Sequence, residues 1–162
     1  MKKVVIIALM TILCLPALAM HKKKKKKVTK AVAQTSAIQS VLIDKTGCFG
    51  RCPTYSIKID NTGLVTYTGR GNVSDSGVYT KNVGAKQTLA ILNNLNSKRV
   101  DTCRKEYDNM IPDLPGLIYT IKYKDSTKKI WNANWGPEFL KLIVVDIEDI
   151  GKVHDATWKK VK

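Results

Sequence analysis

The sequence predicts an α+β fold: an antiparallel meander sheet of about five to six strands with two helices packed on one face. Three observations predict it. Apolar and polar residues alternate over Tyr55–Ile59 and again over Leu117–Lys124, the period of half-buried strands. Leu89, Leu92 and Leu95 recur at helical spacing beside Ala85 and Ile91. An order of strands followed by a helix occurs twice, at 54–97 and at 117–150.

Taken in order, Ile38-Gln39-Ser40-Val41-Leu42-Ile43 is a mostly apolar first strand, ended by Thr46-Gly47. Tyr55, Ile57 and Ile59 face one side of a second strand, with Ser56 and Lys58 on the other. Asp60-Asn61-Thr62-Gly63 is turn chemistry, with a glycine available for positive φ. Leu64–Thr68 returns as its partner, and Gly77–Thr80 follows after a second turn. The first helix spans Ala85 to Ser97, and residues 99–115 are polar and irregular. A strand at 117–124 turns at Asp125-Ser126-Thr127 and pairs with 129–133. Gly136-Pro137-Glu138 starts the last helix, with Pro in its tolerated first turn and Glu near the positive end of the dipole. That helix carries Phe139, Leu142, Ile143, Val144, Ile147 and Ile150, with Gly151 placed to cap it.

The chain has 162 residues, 44% hydrophobic and 25% charged, which is enough for one globular domain and excludes a disordered chain. The net charge of +15 is unevenly placed. Nine of the 28 Lys and Arg residues lie within the first 30 positions, leaving 19 against 13 acidic residues in the remainder. The basic excess is therefore mostly a property of the N-terminal tail.

Met1-Lys2-Lys3, the apolar run Val4–Leu15 and the site Ala17-Leu18-Ala19 have the shape of a secretory signal peptide over 1–19. Thr11-Ile12-Leu13 lacks the small residue expected before a lipidated cysteine, which argues against modification of Cys14. Lys22, Lys23, Lys24, Lys25, Lys26 and Lys27 follow the cut, and charge placed there resists translocation. The apolar segment is nevertheless shorter than a spanning helix and contains Pro16. Export to the periplasm or the extracellular space is the expectation, with N-terminal membrane anchoring as the alternative. Residues 20–35 then form a Lys-rich flexible arm, a solvated spacer or a contact to an anionic envelope surface. No aromatics interleave its lysines, which argues against nucleic acid as a partner. Residues 36–162 remain as a single α+β domain.

Cleavage after Ala19 leaves Cys48, Cys52 and Cys103. A Cys48–Cys52 bond closes a ring of five residues, worth about 2 kcal/mol by chain entropy, whereas a bond to Cys103 closes more than fifty and is worth about 4 kcal/mol. The local pairing is preferred because Gly50 and Pro53 frame the loop and bring its ends together. Three roles compete: a structural staple, a redox site, and a zinc site completed by Cys103 and His154. The Cys-x-x-x-Cys spacing between strands lacks the helix start of a redox pair, and no Cys-x-x-Cys supports zinc. A staple is the reading adopted, with thiol–disulfide activity at Cys48 and Cys52 as the alternative function.

Thr46-Gly47-Cys48-Phe49-Gly50-x-Cys52-Pro53-x-Tyr55, then Gly63 and Tyr67-x-Gly69, resembles a bacterial family of exported proteins, domain of unknown function 6438. Tyr107, Asp113-Leu114-Pro115, Pro137 and Trp158 resemble its later landmarks, so the likeness spans about residues 36–160. The resemblance implies secretion or lipid anchoring and brings no catalytic residues. Cys103 falls outside its pattern, which implies pairing of Cys48 with Cys52.

No nucleophile elbow, phosphate-cradling loop or metal-spaced His pair is present, and no metal or cofactor is expected. His154, beside Asp155, is the one candidate general base within the domain. Asp113, between prolines in a long loop, is placed to contact a ligand or to cap its own backbone. Trp131 and Trp135 share a face if the chain between them is extended, either as a sugar-stacking platform or as core packing against the last helix. The expected function is that of an exported, non-enzymatic binding or structural module of the cell envelope, with a sheet face or the 99–116 loop as its contact surface.

Overall fold

A computed structural model describes residues 36–108, 111, 113–153 and 155–161. The segments expected as a signal peptide (1–19) and a Lys-rich arm (20–35), together with His154, lie outside the described residues. The described elements are β1 (Ile38–Lys45), β2 (Thr54–Asp60), β3 (Leu64–Gly71), β4 (Gly77–Asn82), α1 (Ala85–Ser97), β5 (Glu106–Tyr107), β6 (Leu117–Tyr123), β7 (Thr127–Asn132), α2 (Glu138–Gly151) and β8 (Lys159–Lys160). A single 3₁₀ turn at Val100–Thr102 follows α1.

The α+β class agrees with the sequence, but the sheet is larger than expected. It has eight strands in the order β5-β7-β6-β1-β2-β3-β4-β8. The two added strands are the two-residue edges β5 and β8. Nor is it one continuous meander. Strands β1 to β4 follow one another, but the β6–β7 hairpin joins the free side of β1, and β5 pairs with β7 in parallel. The first strand therefore lies inside the sheet, hydrogen-bonded on both sides.

Alternation along each strand builds one buried face. Val41, Ile43, Ile57, Ile59, Val65, Tyr119, Ile121 and Ile130 are closed to solvent there. Helix α1 adds Ile91, Leu92 and Leu95 over β1 and β2, and α2 adds Leu140, Ile143, Val144 and Ile147 over β2 and β3. The helices also touch each other. Helix α2 crosses the strands: the Tyr119 hydroxyl on β6 donates to Leu140 O at 2.9 Å, while Gly151 in the last turn packs on Ile57 of β2.

Two details of α2 differ from expectation. Pro137 is the residue before the helix, not its first turn, and Gly151 is the last helical residue, with Lys152 as the C-cap in an extended conformation. Glycine is used at 151 because a Cβ there would collide with the Ile57 side chain. Residues 99–115 are less irregular than their composition suggests, since Val100 and Tyr107 are buried in the core.

At the β2–β3 hairpin, Asp60 Oδ1 accepts from the Thr62 N–H at 2.9 Å and the Leu64 N–H at 3.1 Å, while Gly63 supplies a φ of 94°. Among the described residues, no helix is long and apolar enough to cross a membrane.

Candidate binding cleft beside the cysteine loop

One end of the sheet gathers most of the residues with chemical interest. Lys45 at the end of β1 is paired to Tyr55 of β2 and to Leu117 of β6, and Leu117 is paired to Asn132 of β7. Thr54 faces Gly71 and Gly69 faces Gly77, so the β3–β4 loop lies at the same end. The 46–53 loop is tied to its neighbours by hydrogen bonds at its own backbone, two to other backbone groups and one from a side chain. The Thr46 N–H donates to Gly116 O at 3.0 Å, the Phe49 N–H to Asp113 O at 3.4 Å, and Asn72 Nδ2 to Cys52 O at 3.2 Å.

Within this loop Cys48 and Cys52 stand at disulfide distance, with their Cα atoms 5.7 Å apart. No helix begins there, and Gly50 takes a φ of 143°. Phe49 at the tip is 91% exposed, and Arg51 is exposed beside it. Cys103 is a free thiol at the far end of the sheet, near Tyr123, which faces Ile38.

The remaining sequence candidates do not converge. Asp113 is exposed with a φ of 63°, and it meets the cysteine loop through its carbonyl. Trp131 is half-buried on the sheet face opposite the helices, its ring against the Gly116 backbone, so Gly116 tolerates no Cβ. Trp135 is 67% exposed. The chain between the two indoles is not extended, because Asn134 takes a left-handed φ of 72°. Trp131 is absent from the helix-facing core cluster.

What sequence reasoning missed is a cleft of about 310 Å³ bordered by Lys45, Pro53, Tyr67, Val73, Asp75 and Lys152, with Tyr55 in its wall. Tyr55 and Tyr67 stack with ring centroids 5.8 Å apart. Lys45 Nζ lies 5.5 Å and Lys152 Nζ 5.8 Å from the centroid of the Tyr55 ring, a distance at which the ring quadrupole attracts a cation. The Tyr55 hydroxyl donates a short hydrogen bond to Glu148 Oε1, and Lys152 Nζ donates to Oε2 at 2.9 Å.

These contacts set the protonation states. Burial pushes the Tyr55 phenol well above its usual range, and the hydrogen-bonded Glu148 charge pushes it further. For Glu148, burial works upward, but the bonds from Tyr55 and Lys152 and the charges of Lys152 and Lys45 outweigh it, so the carboxyl is held below its ordinary value. Burial raises Tyr67, and Asp75 across the cleft raises it again. Asp44, next to Lys45, is already paired with Arg70.

Comparison with protein families decides the relationship. The family described as domain of unknown function (DUF6438) matches residues 39–151, well over half of the chain. The chain belongs to the DUF6438 family. The matched span includes the cysteine loop, both tyrosines of the cleft, Glu148 and the whole of α2, and it leaves out the N-terminal segment. No curated protein matches the sequence.

Proposed function

We propose that this DUF6438 chain is an exported, non-enzymatic binding module of the cell envelope, and that the cleft over Tyr55 and Tyr67 is its binding site. The observation that carries the reading is that a cysteine-pinned loop forms one rim of a cleft in which the Tyr55 phenol and the Glu148 carboxylate are already committed to each other. Glu148 accepts on both oxygens, and the Tyr55 phenol is committed to it and hard to ionise. Neither is free to act as a base or a nucleophile. A pair of cysteines at disulfide distance favours an oxidising compartment. Their position between two strands, away from any helix start, favours a staple over a redox site.

The test has two arms. Mass spectrometry of the protein from its host is expected to show a mature chain beginning at Met20, and a chain that retains Met1 would sink export. Titration with small charged organic fragments, followed by amide NMR, is expected to move Tyr67, Asn72 and Lys152 together. Signals at those positions that stay fixed throughout the panel would remove the cleft as a binding site.

A further inference from the structure

The cleft is lined by two unlike charges, Lys45 and Asp75, beside a pair of stacked rings. Lys45 stands over Tyr55, and Asp75 lines the same cleft as Tyr67, the ring stacked beside Tyr55. Among the described residues neither Lys45 nor Asp75 has an ion-pair partner, whereas Lys152 is paired with Glu148. Tyr67 is only 5% exposed, yet its hydroxyl meets no hydrogen-bond partner among the described residues. That hydroxyl is not sealed from solvent, so water satisfies it in the free cleft and a ligand can take that water's place.

We propose that the cleft binds a small zwitterion of amino-acid or dipeptide size, with its carboxylate on Lys45, its ammonium on Asp75 and its backbone hydrogen-bonded to the Tyr67 hydroxyl. This rests on the binding reading above and names its ligand class. A simple anion would bring a second negative charge toward Asp75, and a simple cation would approach two ammonium groups. A ligand carrying both charges meets each with its opposite. Pro53, Val73 and Val153 line the same space and receive an apolar side chain. The volume of about 310 Å³ lies at the small end of ligand sites and suits one or two residues, not a polymer.

The test titrates the full oxidised chain with the dipeptide Ala-Phe carrying free ends, with its N-acetyl form and with its C-terminal amide, by calorimetry and amide NMR. The free dipeptide is expected to bind at the cleft, and blocking either end to weaken it about tenfold. Lys45→Gln is expected to abolish the preference for a free carboxylate while keeping that for a free amine, and Asp75→Asn to do the reverse. Loss of fold does not produce such crossed effects. Equal affinity for all three forms, or preferences that the two variants leave unchanged, overturns the zwitterion while leaving a binding cleft in place. No response at the cleft to any of the peptides or to the charged fragments overturns both.

Discussion

Tyr55 and Glu148 are 93 residues apart in sequence and joined by a hydrogen bond from the phenol to the carboxylate. The bond fastens the last turn of α2 to the second strand. A hydrogen bond to a charged acceptor is worth about 1.5–3 kcal/mol. Tyr55→Phe is therefore expected to lower stability by about that amount in urea unfolding, with the slope unchanged. A fall in the slope instead would mean that α2 had detached.

Glu148 also shapes the acid limb of stability. Its carboxyl is held below the ordinary value in the folded state, so the stability it contributes is present above about pH 4.3, where an unfolded glutamate ionises. That contribution is lost as pH falls through the lower folded pKa. Glu148→Gln is expected to flatten the stability profile over this acid window and to leave the neutral region parallel to the parent. Denaturation measured from pH 2 to 7 checks it.

The alkaline limb belongs to buried phenols. Burial pushes Tyr119 up to about 12, against a helping bond from Asn132, with the Glu148 charge adding to the rise. The neutral phenol is thus favoured in the fold. The stability tied to it is complete below about pH 10, where an unfolded tyrosine ionises, and is lost as pH rises toward the folded value. Ultraviolet titration is expected to show Tyr55 and Tyr119 ionising late, together with unfolding. Tyr119→Phe is expected to move that unfolding to higher pH.

Gly151 is a packing residue. Gly151→Ala places a methyl group into Ile57, and overpacking of this kind costs about 1–3 kcal/mol. The double variant with Ile57→Val is expected to recover part of the loss, since the two side chains compete for the same space. Simple addition of the two penalties would argue against that contact.

The cysteine pair is expected to stabilise by about 2 kcal/mol, the value for a ring of five residues. Cys48→Ser with Cys52→Ser should lower the midpoint accordingly. Thiol titration of the chain from Met20 onward should find one reactive group before reduction and three after it. Three groups before reduction would remove the staple.

The local features were legible in the sequence. Leucine spacing sets α1 at Ala85–Ser97, and the alternation around Tyr55 and Tyr119 identifies the strands that carry the core. The cysteine pair was legible because its ends are neighbours. Two-residue strands show no period, so β5 and β8 could not be read. Trp131 and Trp135 were misleading for a local reason: the left-handed turn at Asn134 falls on asparagine, which gives a weaker signal than glycine. The cleft was invisible because Lys45, Tyr67, Asp75 and Lys152 come from four separate segments, and only the strand register and the crossing of α2 bring them together.

The interior place of β1 has a consequence for how the chain is made. Its second neighbour, β6, begins at Leu117, so a nascent chain presents one unsatisfied side of β1 until residues 117–123 have been synthesised. That bare edge is a template for pairing with other molecules in the meantime. Closing it requires bringing together residues as far apart as Ile38 and Tyr123, which is slow relative to forming the first hairpins.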